Sequence, residues 1–271
     1  MDGTLLLVGG GKMGGALLAG WLARGLKPAQ VVVVEPDQAR AAEMRRTIGL
    51  RVVARGEDVP TALAPEVVLL AVKPQAMDAV VPLYRRAVSP GTVFLSIAAG
   101  KALAYFARHL GPGAAVVRSM PNTPAAVGRG ITVACANAKV SAAQRAVCDD
   151  LLRAVGEVAW IADEALLDAV TAVSGGGPAY VFLLAESLAA AGIASGLPKD
   201  LAERLARVTV AGAGELLHHA PEPPAVLRQN VTSPQGTTER ALAVLMGPDG
   251  WQSLLDRAIA AATARSKELS G

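Results

Sequence analysis

Short apolar runs alternate with stretches of helical spacing as far as about residue 162, and beyond that only the helical spacing continues. Residues 5–8 (Leu5-Leu6-Leu7-Val8) predict a strand, and a helix follows over residues 16–23. Four consecutive valines at 31–34 have the pattern of a strand buried on both faces. Further strands are predicted at 51–54, 67–72, 93–97 and 115–117, with helices at 37–48, 77–87 and 103–109. Two more strands, at 131–134 and 157–160, flank a helix at 142–154. Strands alternating with helices predict βαβ units and a parallel sheet.

Between the first strand and the first helix stands Gly9-Gly10-Gly11-Lys12-Met13-Gly14, a G-x-G-x-x-G spacing. In a dinucleotide-binding turn the first such glycine permits the tight turn, the second lets backbone approach a pyrophosphate, and the third lets helix and strand pack closely. The helix N-terminus adds unpaired N–H groups and partial positive charge. Glu35 lies 21 residues beyond Gly14, near the place where an acid bonds the ribose 2′-OH of NAD. It reads equally as a solvated loop acid. Arg40, Arg45 and Arg46 follow closely and are candidates for a 2′-phosphate, so NADH, which Glu35 favours, and NADPH both stay open. Ligands of open α/β sheets bind outside the carboxyl ends of the strands. The loops there carry Ala71-Val72-Lys73-Pro74, Ala98-Ala99-Gly100 and Pro121-Asn122-Thr123-Pro124. Lys73 taken alone reads as a surface lysine, whereas Asn122 and Thr123 are polar groups held between two prolines.

The second half predicts helices at 164–173, 179–195, 198–219 and 251–269, with Pro221, Pro223 and Pro224 marking a loop. Another helix is predicted to start at Ser233-Pro234, with Ser as N-cap and Pro in the first turn. Gly236, Thr237 and Thr238 then serve either as a simple cap or as a carboxylate pocket. The fold class is therefore an α/β Rossmann domain with a parallel-rich sheet at residues 1–162, followed by an all-α dimerisation domain at 163–271. The apolar tract 165–197 carries Asp168, Pro178 and Glu186, which predicts helices buried in a homodimer interface and no membrane span. A helical part this rich in alanine is expected to need interleaving with a second copy.

Composition narrows the chemistry. The chain is 52% hydrophobic and only 3% aromatic, so its cores are built from Ala, Val and Leu. A net charge of +3, without a Lys/Arg block or aromatic platforms, makes nucleic acid a poor partner. Cys135 and Cys148 fit neither a metal spacing nor a disulfide framework, so no metal is expected and a reducing, cytoplasmic setting is. The apolar run at 5–8 is too short for a signal peptide. His109, His218 and His219 fall in helical stretches and read as solvated. No Ser/His/Asp or Cys/His constellation is visible.

Taken in order, these segments resemble the pyrroline-5-carboxylate reductase family. The resemblance is carried by Gly9-Gly10-Gly11-Lys12-Met13-Gly14, Ala71-Val72-Lys73-Pro74-Gln75, Ser96-Ile97-Ala98-Ala99-Gly100 and Met120-Pro121-Asn122-Thr123-Pro124. It continues through Asp168-Ala169-Val170-Thr171-Ala172-Val173-Ser174-Gly175-Gly176-Gly177-Pro178 and Asn230-Val231-Thr232-Ser233-Pro234-Gln235-Gly236-Thr237-Thr238. The resemblance implies reduction of 1-pyrroline-5-carboxylate to proline with NADH or NADPH, in a homodimer that assembles further into rings of dimers. It implies cofactor contacts at Gly9 to Gly14, Glu35, Pro36, Ala71 to Pro74, Ala98 to Gly100, Asn122 and, across the dimer, Asn230. Ser233, Gly236, Thr237 and Thr238 would hold the substrate carboxylate, Thr238 would also serve catalysis at the ring nitrogen, and Glu164 would lie beside substrate. Two departures stand out: Gly176 replaces a serine of the family motif, and Glu35-Pro36 replaces a small or hydroxyl residue. Competing readings are another Rossmann imine or hydroxyacid reductase and a non-catalytic nucleotide-sensing module. The first would usually carry a catalytic Lys or Asp on its interdomain helix, where residues 179–195 have only Glu186; the second would not need the Ser233 to Thr238 pocket.

Overall fold

The computed structural model describes residues 3–270. Eight strands form one sheet: β1 (Thr4–Val8), β2 (Val31–Val34), β3 (Arg51–Val53), β4 (Pro65–Leu70), β5 (Val93–Ser96), β6 (Ala115–Met120), β7 (Gly130–Ala136) and β8 (Gly156–Trp160). Their order is β3-β2-β1-β4-β5-β6-β7-β8. All neighbours are parallel except β6 and β7, which pair antiparallel with Arg118 opposite Cys135. The chain leaves β1 to one side for β2 and β3 and returns on the other for β4. That reversal opens a crevice at the carboxyl ends of β1 and β4.

Alternation within each strand explains the two cores. Leu5 and Leu7 point into one buried cluster with Leu17, Trp21 and Leu152, while Leu6 and Val8 point into the other with Met77, Phe94 and Phe106. A parallel sheet covered on both faces needs apolar residues at every position of a strand, which is why unbroken Leu and Val runs appear.

The helices are α1 (Lys12–Ala23), α2 (Gln38–Ile48), α3 (Met77–Val80), α4 (Leu103–Leu110), α5 (Ala142–Arg153), α6 (Leu167–Val170), α7 (Gly177–Ala194), α8 (Lys199–His219), α9 (Pro224–Asn230), α10 (Thr237–Leu245) and α11 (Trp251–Ser270). Several differ from the expected bounds for identifiable reasons. The first begins at Lys12 rather than at 16, because Gly11 itself is the N-cap. The helix expected over 77–87 is α only to Val80; Pro82 lacks an N–H, and Val81–Ala87 continues as a 3-10 helix. The helix expected over 164–173 passes from 3-10 (Glu164–Leu166) through α6 to a π turn (Thr171–Gly175). The proline loop ends at Pro223, since Pro224 opens α9, a first-turn position that suits proline. The sixth strand runs three residues beyond its expected end because β7 pairs with it there.

Two indole bonds tie the first part of the chain together: Trp21 Nε1–H donates to the Leu151 carbonyl (2.8 Å), and Trp160 Nε1–H to Asp149 Oδ1 (2.8 Å). The chain divides into two compact units, one running to Gly175 and resuming at Thr263, the other spanning Gly176–Ala262. Within the first unit, the resumed segment is fixed where Ser266 Oγ–H donates to Asp168 Oδ1 (2.7 Å) and where Leu269 packs on Gly100. In the second, α7 packs on α8 beside a groove of about 890 Å³ lined by Val181, Phe182, Ile193, Arg207 and Gly214. Phe182 and Leu183 of α7 and Val208 and Leu216 of α8 are exposed. The stretch Glu164–Ala194, which contains an 18-residue window of mean hydropathy 1.4, is long and apolar enough by composition to cross a membrane.

Candidate functional site

At the crevice, the carboxyl ends of four strands are stitched side by side. Gly9 N–H donates to Val34 O (2.9 Å), Ala71 N–H to Val8 O (2.8 Å), and Ile97 N–H to Leu70 O (3.2 Å). The loops bearing Gly9 to Gly14, Glu35 and Pro36, Ala71 to Pro74, and Ala98 to Gly100 are thus adjacent.

The three glycines of the turn meet different constraints. Gly9 has φ +100°, in the left-handed region, and a Cβ there would lie 2.8 Å from the Ala71 carbonyl oxygen. At Gly14 a Cβ would collide with the carbonyl oxygen of Gly9. At Gly11 a Cβ would meet nothing within 4 Å. No internal packing demands glycine at that position, and open space over the backbone is what an approaching pyrophosphate requires. Gly11 caps α1 without any side-chain bond, leaving the first N–H groups of the helix free of intrahelical partners. The residues present therefore fit a dinucleotide.

Glu35 is not the solvated acid that one reading allowed. It is 3% exposed. Its carboxylate accepts from Gly10 N–H (2.9 Å), Asp37 N–H (2.8 Å) and Arg40 Nη1 (3.0 Å). Lys73 is exposed ahead of the 3-10 turn Pro74–Ala76. Asn122, expected to keep its polar group available, has Oδ1 accepting the Ile131 N–H (3.0 Å), which pins the start of β7.

Glu164, expected beside substrate, has Oε1 engaged by Leu103 N–H (2.7 Å) and Arg118 Nη1 (2.7 Å). Arg118 escaped the sequence reading, although a charged residue inside the run Val116-Val117-Arg118-Ser119 was a visible signal; it is buried. Close by, Gly175 ends the π turn, where a Cβ would collide with Met120, and Ser174 Oγ is buried without a hydrogen-bond partner. π turns concentrate at functional sites.

In the second unit, Ser233 and Gly236 lie in the short connection between α9, which ends at Asn230, and α10, which opens with Thr237 and Thr238. Ser233 is not the N-cap of the helix it was expected to start. Its carbonyl accepts Gly236 N–H (3.0 Å), forming a turn with Gln235 at φ +59°, and the N-cap of α10 is Gly236, three residues beyond the expected Ser233. Glu239 reaches back to Gln235 N–H (2.7 Å). Gly236 supplies no side-chain cap, and Thr237 and Thr238 stand exposed at the open end.

Both cysteines are buried and free. Burial pushes the Cys148 thiol up to about 12 and the Cys135 thiol above its ordinary value, so neither has thiolate character. Among the described residues, no group of three or more His, Cys, Asp or Glu side chains is placed to hold a metal ion.

A glycine-rich strand–turn–helix at the reversal point of a 3-2-1-4-5-6 sheet, joined to a helical second unit, defines a dinucleotide-binding protein of the Rossmann class. Residues 164–269 match the family described as pyrroline-5-carboxylate reductase dimerisation, and residues 4–100 match NADP oxidoreductase, coenzyme F420-dependent. The chain is 42% identical to the pyrroline-5-carboxylate reductase of Pseudomonas aeruginosa, over 98% of this chain and 96% of that one. The structure of the Coxiella burnetii pyrroline-5-carboxylate reductase superposes with a TM-score of 0.93 at 33% identity, covering 100% of both chains. That of the Plasmodium falciparum pyrroline carboxylate reductase, which has NADP bound, gives 0.82 at 28% identity, covering 100% and 99%. The chain belongs to the pyrroline-5-carboxylate reductase family. The dimerisation match supports a homodimer, and it spans α7 and α8 with their exposed apolar side chains.

Proposed function

We propose that the chain reduces 1-pyrroline-5-carboxylate to L-proline at the expense of NAD(P)H, the last step of proline biosynthesis. Residues 1–162 hold the cofactor, through Gly9 to Gly14, Ala71 to Pro74, Ala98 to Gly100 and Asn122. Residues 163–271 provide dimerisation and the substrate pocket, and Asn230 reaches the partner's cofactor. When bound, the cofactor supplies hydride to the imine carbon. Everything else is positioning, which suits a substrate that is already electrophilic.

The substrate is a cyclic imine bearing a carboxylate. The observation that carries the reading is the open N-terminus of α10, whose N-cap is a glycine and whose first two residues are exposed threonines. Free N–H groups and the positive end of a helix favour a carboxylate, and Ser233 adds a hydroxyl at the preceding turn. The Thr238 hydroxyl oxygen accepts a hydrogen bond from the ring N–H of the substrate once solvent has protonated the imine, which favours the iminium. For Glu164, the bonds to Leu103 and Arg118 support a role in positioning the loop after β5. The reading extends to a ring of dimers and to the cytoplasm, the latter in keeping with two free cysteines.

Thr238→Ala is expected to lose about a hundredfold in kcat/KM, the scale of one lost polar contact in a transition state, with cofactor binding unchanged. Unaltered turnover would remove Thr238 from the mechanism. Absence of NADH and NADPH oxidation with pyrroline-5-carboxylate would overturn the assignment as a whole.

A further inference from the structure

The end of β2 carries more charge chemistry than a ribose contact needs. Glu35 has about four lone-pair sites; Gly10 N–H and Arg40 fill Oε2, and Asp37 N–H takes one on Oε1. This acid is part of the architecture, linking the glycine turn to the first turn of α2. Asp37 is the N-cap of α2, and its Oδ1 accepts the Arg40 N–H (2.9 Å). Its Oδ2 stands 3.9 Å from the Arg40 guanidinium, and its side chain is 50% exposed.

Around the position where a fold of this class places the adenosine ribose, two carboxylates therefore face one guanidinium. That guanidinium is already committed to Glu35. Its charge is thereby balanced through Nη1 before any ligand arrives, so a 2′-phosphate would bring further negative charge against Asp37 with no unpaired cation in this cluster to meet it. The other arginines of α2 give no relief. Arg45 donates to the Val52 carbonyl (2.9 Å). Both Arg45 and Arg46 sit in the last turn of the helix, about 8–9 Å along the axis from Arg40. A 2′-hydroxyl, by contrast, is a donor, and both Asp37 Oδ2 and the remaining site on Glu35 Oε1 are acceptors.

We infer that Glu35, Asp37 and Arg40 together select the unphosphorylated adenosine ribose, so that this chain uses NADH in preference to NADPH. The inference rests on the proposed nicotinamide-dependent reduction, yet it concerns only the adenosine end of the cofactor and can be tested without turnover.

The experiment is calorimetric titration of the full-length protein with ADP-ribose and with 2′-phospho-ADP-ribose. ADP-ribose is expected to bind about tenfold more tightly or better, the scale of one solvent-screened charge interaction. Asp37→Asn, which keeps a good N-cap, and Glu35→Gln are each expected to shrink that ratio several-fold, with thermal melts reporting that the variants fold. Equal or tighter binding of 2′-phospho-ADP-ribose, or no binding of either fragment, overturns the inference. A ratio unchanged in both variants overturns its assignment to this cluster. If ADP-ribose is preferred but pyrroline-5-carboxylate is not reduced, the reaction assignment falls and the ribose selection stands.

Discussion

Gly11 and Gly14 are three residues apart in the same turn, and alanine at each separates folding from binding. At Gly14 a methyl group collides with backbone, so Gly14→Ala is expected to lower Tm by several degrees, as an overpacked core does at about 1–3 kcal/mol. Gly11→Ala meets open space and should melt like the wild type while losing most of its affinity for ADP-ribose; a tight-binding G11A protein would contradict the pyrophosphate contact. The glycine spacing was legible because it answers to local backbone geometry. Glu35 was not fully legible. Its burial depends on Gly10, 25 residues earlier, and on Arg40, and no spacing says which donors will converge on an acid.

Among the elements, α5 and β8 are joined through Asp149, which accepts from Trp160 and is paired with Arg153. Burial works to raise the Asp149 carboxyl, but the bonds from Arg153 and Trp160 outweigh it and hold it below the usual carboxylate range. A carboxyl depressed in the folded state contributes stability that is complete above its unfolded value, about pH 4, and is lost as the pH falls through the folded value. Asp149→Asn should therefore lower Tm at neutral pH and flatten the decline of Tm below about pH 4, followed by circular dichroism melts. Equal acid sensitivity in both proteins would mean that Asp149 contributes nothing. Element type followed from periodicity for all eight strands and most helices. Boundaries slipped where a local signal met a competing one. Ser233-Pro234 is a sound helix start, yet the left-handed Gln235 and the backward reach of Glu239 move the start to Gly236.

For the whole molecule, a homodimer that closes over the apolar face of α7 and α8 is the expectation to test. Phe182 is 64% exposed in the single chain. Obligate homodimer interfaces commonly bury ~2,000 Å² or more, and a charge at the centre of such a face is incompatible with its closure. Phe182→Glu is expected to sediment as a monomer and to lose reductase activity, while ADP-ribose still binds to the first unit. A dimeric and active F182E protein would move the interface elsewhere. The need for a partner was legible in the Ala- and Leu-rich second half. The return of residues 263–269 to the first unit was not, because the bond between Ser266 and Asp168 joins positions 98 residues apart and periodicity names no partner surface.

With only three tryptophans, the protein carries its own optical labels. Trp21 and Trp160 are hydrogen-bonded within the first unit, whereas Trp251, 46% exposed, opens the last helix in the second. Trp21, 2% exposed, therefore gives the sheet-bearing unit a blue component of the emission band, and Trp251 gives the helical unit a red, quencher-accessible one. Replacing Trp251 with phenylalanine leaves a signal from the first unit alone, so that the difference between this variant and the unsubstituted protein separates events in the helical unit from melting of the sheet.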